Sequence, residues 1–244
     1  MAEYRQLELF PDLIRKTPND KQENKKYDEQ LSKHKLKLEG FRNLNLIKDL
    51  ANENGYNPII LKTVTGIIPR ELIAFSKASR ANLRDKIVHF YEYDYVIDRI
   101  WRNPKRYIKM LKRALAVIGP DFSIAPRFPE EVNIWSFYMI RVISHYLINN
   151  GVALIPNIPV CSPKYYNLVF DCLEEGGIYA ISNVQAYNNY FSRHQWYTFV
   201  REVIRRLKPE ALIIYGNRME VAGVKTYYFY NENIISLRRG KKIS

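Results

Sequence analysis

Short, continuously apolar runs alternate with segments of helical periodicity between residues 86 and 230. KIVHFY (86–91) is short, apolar and followed by a switch of spacing, the pattern of a buried strand. Beyond it, Ile97, Ile100, Trp101, Ile108, Leu111 and Leu115 recur on one helical face. Asn103-Pro104 divides that face into two helices, with Asn103 as a cap and Pro104 at the first helical position. LAVIG (115–119) predicts the next strand, and Val132, Trp135, Met139, Ile143 and Tyr146 line a helix that Asn150-Gly151 closes. VALIP (152–156), NLVFD (167–171) and IYAIS (178–182) predict three further strands, with Gly176-Gly177 turning between the last two. Trp196, Phe199, Val200, Val203 and Leu207 form another helical stripe, ended by Arg205, Arg206 and Pro209. ALIIYG (211–216) and KTYYFY (225–230) complete the strands.

This alternation predicts an α/β fold whose mostly parallel sheet is covered by helices. An incomplete or irregular α/β barrel with helices outside suits it best, because the links around 157–166 and 172–177 are too short for full helical crossovers. Residues 1–40 read as a flexible tail, since 14–40 mix both charges with Asn, Gln and Pro and hold too little apolar surface to order themselves. Residues 41–230 then form a single α/β domain, and 231–244 a basic C-terminal tail.

Composition narrows the setting. The 244 residues are 47% hydrophobic, enough for one sizeable core. The most apolar stretch, FYMIRVISHYLINNG, is broken by Arg141 and His145, so no membrane span is expected. The N-terminus lacks the pattern of a signal peptide, and Cys161 and Cys172 have no metal-ligand spacing, which points to a reducing cytoplasm. With 38 Lys and Arg against 25 acids, the net charge of +13 favours polyanionic partners, DNA first. WRNPKRYIKMLKRAL places Arg102, Lys105, Arg106, Lys109, Lys112 and Arg113 opposite Ile108, Leu111 and Leu115. That stripe suits either several phosphates or plain solvation. Arg238, Arg239, Lys241 and Lys242 add a second basic cluster, whereas Tyr187, Tyr190 and Tyr197 suit stacking on unpaired bases but, beside a helix, read first as packing residues.

Polar residues recur where strands end: Glu92 and Asp94, Asp121, Asn157, Asp171 and Asn183. In parallel α/β sheets that edge gathers loops and helix N-termini, and ligands bind there. Asp94, Asp121 and Asp171 are hard oxygen donors suited to Mg²⁺ or Mn²⁺, which would stabilise the charge of phosphodiester cleavage. Asp121 and Asp171 also suit the carboxylate pair of glycosyl transfer at a nucleobase or nucleotide, and each aspartate equally suits a helix or turn cap. The sequence has no zinc-deaminase signature, Walker loop, Gly-x-Gly-x-x-Gly fingerprint or Gly-x-Ser-x-Gly elbow. His89, His145 and His194 are too scattered to form a ligand set.

VHFYEYDYVIDRIW (88–101), GPDFS (119–123), NIWSFYMIR (133–141), NGVALIP (150–156), VFDC (169–172), AIS (180–182) and KPEALIIYG (208–216) occur in the order and spacing of one family. They resemble domain of unknown function 4417, found in phages, plasmids and bacterial genomes. The resemblance implies a mobile-element setting and no particular activity. Tyr93 stands where that family usually has a second aspartate, Asp98 replaces a glutamate, and Gln185 lies near an expected glycine.

Gln6, Leu7, Leu9 and Phe10 are similar to the peptide by which bacterial replication and repair proteins dock on the DNA polymerase sliding clamp. In that resemblance Leu9 and Phe10 fill an apolar pocket, Leu7 packs beside them and Gln6 hydrogen-bonds at the rim. A tail suits such a peptide, because a few anchors need no folded interface. The expectation is a phage or plasmid protein of DNA replication or processing, recruited to the clamp and cleaving DNA with a metal. Glycosyl transfer and a non-enzymatic clamp-binding adaptor or inhibitor are the alternatives.

Overall fold

A computed structural model describes residues 40–53, 55–184, 186 and 190–230. The predicted docking peptide 6–10, Gln185, Tyr187 and the basic cluster from Arg238 lie outside these residues. The described residues from Leu46 onward belong to one compact unit.

Seven parallel strands follow one another in chain order. The first four are β1 (Leu72–Ala74), β2 (Ile87–Phe90), β3 (Ala116–Pro120) and β4 (Leu154–Ile155), each paired with the next. The other three, β5 (Ile178–Ser182), β6 (Ala211–Gly216) and β7 (Lys225–Tyr230), pair in the same way. A single parallel bridge, Asn157 to Ala180, joins the two groups, with Ile158 N–H donating to Ala180 O at 2.8 Å and Ala180 N–H to Pro156 O at 3.0 Å. A two-residue antiparallel pair, Ala51–Asn52 with Gly55–Tyr56, precedes them.

Every residue of β2, β3, β4 and β6 is buried, as expected of strands covered on both faces. One side packs Ile87, Ala116, Ile118, Ile155, Ile178, Ala180, Ala211 and Ile213 into a single cluster. The other side sends Tyr179, Ile181, Leu212 and Ile214 into a second cluster with Trp196, Phe199, Val200 and Val203. These last four belong to helix α6 (Tyr190–Leu207). Rings on β2 and β6, which are not sheet neighbours, also touch: His89 and Tyr215 lie 4.8 Å apart. The sheet is therefore curled into an incomplete barrel. Among the described residues no strand pair links β1 to β7.

The remaining helices are α1 (Phe75–Ala78), α2 (Asp94–Arg102), α3 (Lys105–Leu111), α4 (Glu130–Asn149) and α5 (Tyr166–Phe170). Asn103 and Pro104 separate α2 from α3 as predicted, but Asn103 is the C-cap of α2 and Pro104 stands at the N-cap of α3, with no side-chain capping bond, instead of at its first helical position. Helix α4 ends where Asn150-Gly151 predicts. Gly151, at φ +73°, donates to Ile148 O and Val152 to Leu147 O, the two bonds that tie off a helix through a left-handed residue.

Residues 167–171 are the correction. They form a helical turn, not a strand, and the whole span from Asn157 to Gly177 is one connection between β4 and β5. Pro163 opens a 3-10 turn (Pro163–Tyr165), after which Val169 and Phe170 are buried together. Tyr166 and Phe170, four residues apart, contact each other and Phe199 of α6. The apolar period there is helical, and β-branched and aromatic content alone suggested a strand. Irregularity lies instead between β6 and β7, where residues 217–224 connect parallel strands without a helix.

Candidate active site

Alternation along the strands sorts the barrel interior by height. Ile87 pairs with Ala116 and Ile178 with Ala211 near the strand beginnings, and Ala180 pairs with Ile213 two residues further along. Above them the inward residues turn polar. Tyr91 stacks on Tyr215 at 4.5 Å, and the backbone N–H of Tyr91 donates to Nδ1 of buried His89 at 3.2 Å.

A chain of hydrogen bonds crosses this C-terminal edge. Tyr91 Oη donates to Asn157 Oδ1 at 3.0 Å, and Asn157 Nδ2 donates to Asp121 Oδ1 at 2.7 Å. Asp121 directly follows β3, and two residues later the N–H and Oγ–H of Ser123 donate to Asp94 Oδ1 at 3.1 and 3.0 Å. Asp94 is the first residue of α2, so loops after two neighbouring strands place the two carboxylates near enough for the charge of Asp94 to act on Asp121. Burial is the main force on Asp121. It raises the carboxyl, the Asn157 hydrogen bond opposes that rise and the charge of Asp94 adds to it, leaving Asp121 at about 6. Burial, followed by the charge of Asp121 and by Tyr215, pushes the Tyr91 hydroxyl well up. Among the described residues neither aspartate has a cationic partner.

Asn183 closes the adjoining part of the edge. Its Nδ2 donates to Asn217 O at 2.6 Å and its Oδ1 accepts the Asn217 N–H at 2.8 Å, tying the end of β5 to the end of β6. Gly216 makes room for this amide: at φ +132°, its Cβ would stand 2.2 Å from Asn183 Oδ1.

The model of the family described as a domain of unknown function, DUF4417, matches residues 56–232. The chain belongs to this family. It is also 26% identical over 195 residues to the Gene 1 protein of Mycobacterium phage L5, covering 77% of this chain and 85% of that protein. The Gene 1 protein of Mycobacterium phage D29 is 25% identical over 209 residues, 82% of this chain and 75% of its own length. No solved structure matches. The Tyr91–Asn157–Asp121 chain and the Asn183–Asn217 pair lie wholly within the DUF4417 match, whereas the predicted docking peptide 6–10 precedes it.

In this DUF4417 protein the three predicted aspartates do not meet. Asp171 caps the C-terminus of α5, ahead of β5 and exposed, instead of ending a strand. Among the described residues no group of three or more His, Cys, Asp and Glu is placed to hold a metal ion. The assembled pair is Asp94 with Asp121, and the pairing of Asp121 with Asp171 is replaced by it. Glu92 accepts the Ser76 N–H at 2.9 Å and so caps the first turn of α1. His145 is held between Asp49 and Asn149.

Arg102, Lys105, Arg106, Lys109, Lys112 and Arg113 are all exposed, and Arg102 pairs with Asp98. Their stripe descends from the end of α2 towards the start of β3, away from the aspartate pair. Tyr197 packs edge-on against Trp196. Burial pushes the Cys161 thiol up to about 12, which makes it unreactive. No helix among the described residues is long and apolar enough to cross a membrane. The sequence reading missed Tyr91, Ser123, Tyr215 and Asn217 in the network. The signal for Tyr91 and Tyr215 was present, since each lies on the inward alternation of its strand.

Proposed function

We propose that this protein processes DNA for a phage or another mobile element, with chemistry at the C-terminal edge of its incomplete barrel. The observation that carries this reading is Asp121, half-buried beside Asp94 and held at about 6. A carboxyl titrating near neutral pH gives and takes a proton efficiently, and a second carboxylate next to it completes an acid–base pair. Such a pair acts on a phosphodiester by protonating the leaving oxygen or activating water, and on a glycosidic bond in the same manner. The net charge of +13 favours DNA as the substrate.

A second reading rests on the charge of Asp94 raising Asp121 without a nearby cation. Asp94 and Asp121 would hold Mg²⁺ or Mn²⁺, which would offset that repulsion and stabilise the charge developed in strand cleavage. Incubation of the full chain with single-stranded, forked and duplex DNA, with and without each metal, tests both readings. Acid–base chemistry gives a metal-independent product, an inflection near pH 6 and loss of product in Asp121→Asn. The metal reading gives a product that needs Mg²⁺ or Mn²⁺, which also raise the wild-type melting temperature and not that of Asp121→Asn. No product under any condition overturns both and leaves a non-enzymatic clamp-binding adaptor.

Recruitment to the sliding clamp belongs to the same proposal. A peptide of residues 1–16 binds purified bacterial clamp with roughly micromolar affinity, and changing both Leu9 and Phe10 to alanine abolishes it. Equal binding by that double variant overturns the docking role.

A further inference from the structure

Two tyrosines flank Asp94 at the start of α2. Tyr93 is 71% exposed and Tyr95 75%, although large aromatic side chains are usually well covered. Their rings lie 5.7 Å apart and within 10° of parallel, stacked on each other, so the pair presents its outer ring faces to water. Its position is specific: the residue between the rings is the carboxylate that Ser123 holds beside Asp121.

The same helix continues this surface as positive charge. Arg99 lies four residues beyond Tyr95, on the same side of α2. It is anchored by its Nε–H bond to Val96 O at 3.0 Å and by the Phe75 ring 5.3 Å beneath its guanidinium. Arg102, Lys105, Arg106 and Lys109 follow, all exposed. Aromatic faces followed by a basic track match a ligand that alternates flat bases with phosphates. Duplex DNA hides its base faces in its own stack, whereas a single strand offers them, and stacking on tyrosine suits any base.

We propose that Tyr93 and Tyr95 form a base-stacking platform that grips single-stranded DNA at the entrance to the Asp94–Asp121 site, with its backbone running along Arg99, Arg102, Lys105 and Arg106. This names the substrate class for the function proposed above, and rests on that reading only for the chemistry after binding. It also gives the basic stripe a role although it descends away from the aspartates.

Fluorescence anisotropy of a labelled oligothymidylate with the full chain tests the platform. Changing both Tyr93 and Tyr95 to alanine weakens binding roughly tenfold or more, while changing both to phenylalanine keeps it within about twofold, because stacking needs the ring and not the hydroxyl. Excess unlabelled single strand displaces the probe, and duplex of the same sequence does so poorly. Melting of the alanine variant stays at the wild-type temperature, since the rings are exposed. Wild-type affinity in that folded variant, or equal competition by duplex, overturns the platform while leaving the aspartate chemistry standing. Loss of binding in it, together with no product from the wild type, leaves the platform standing and removes the chemistry.

Discussion

At the N-terminal edge of the sheet Lys86 pairs with Glu71, Lys208 with Glu175 at 2.7 Å, and Glu210 accepts the Gly66 N–H. At the C-terminal edge Asp94 and Asp121 meet only hydroxyl, amide and backbone groups and each other. Both edges belong to the same strands, so the difference comes from what the loops deliver. The first set of carboxylates is neutralised in water. Of the second, Asp121 is partly withdrawn from water while Asp94 is exposed, and neither has a cation, an arrangement that costs stability and is characteristic of sites that bind or react.

Substitution at the two edges should therefore behave unequally. The largest effect is expected at Asn183, which is 1% exposed and satisfies both backbone groups of Asn217. Asn183→Ala strands a buried N–H and a buried C=O, and should destabilise the fold by roughly 2 to 5 kcal/mol in denaturant melts. A loss below about 1 kcal/mol would mean that water replaces the amide.

Asp121→Asn should act in the opposite direction. The folded protein holds the Asp121 proton more tightly than the unfolded chain does, with the carboxyl raised from 3.8 to about 6. Its contribution is therefore greatest below 3.8 and is lost as pH rises to about 6. Above that pH the charged carboxylate is a burden, and Asp121→Asn should exceed the wild type by up to about 3 kcal/mol at pH 7.5. The gap should narrow towards pH 4, and a gap independent of pH would deny that burial and Asp94 set the effect.

A smaller change is expected along the stripe. Replacing Lys105 and Arg106 by alanine should flatten the dependence of log affinity for single-stranded DNA on log salt by about 1.4. An unchanged slope would remove these two side chains from the phosphate track. The least effect belongs to the neutralised edge, where Lys208→Ala should melt within about 2 °C of wild type because its ion pair is exposed.

The sequence made one edge of this contrast more legible than its detail. β2 and β3 are short, mostly apolar runs, so Asp94 and Asp121 could be placed after strands by counting residues. Asp171 could not, because a single helical turn holding Val169 and Phe170 carries nearly the same residues as a short strand. Asn217 escaped notice because its partner Asn183 lies 34 residues away in the chain. Tyr93 and Tyr95 escaped for another reason: an aromatic beside a helix is normally covered, and only the packing of neighbouring elements decides that these two are not. The tyrosines weighed from sequence were Tyr187, Tyr190 and Tyr197, and of these Tyr197 is partly buried against Trp196.

The central claim is that Asp121 is held ready to exchange a proton near neutral pH by its burial and by Asp94. A carbon-detected NMR titration of the aspartate side-chain carboxyls in the full chain measures this directly, with Asp121 assigned by its absence in Asp121→Asn. The expected result is a midpoint at about 6 for Asp121, and a lower midpoint for the same carboxyl in Asp94→Asn, where the neighbouring charge is gone. A wild-type midpoint near 3.8, unmoved by Asp94→Asn, would contradict the claim and make this edge of the sheet as ordinary as the other.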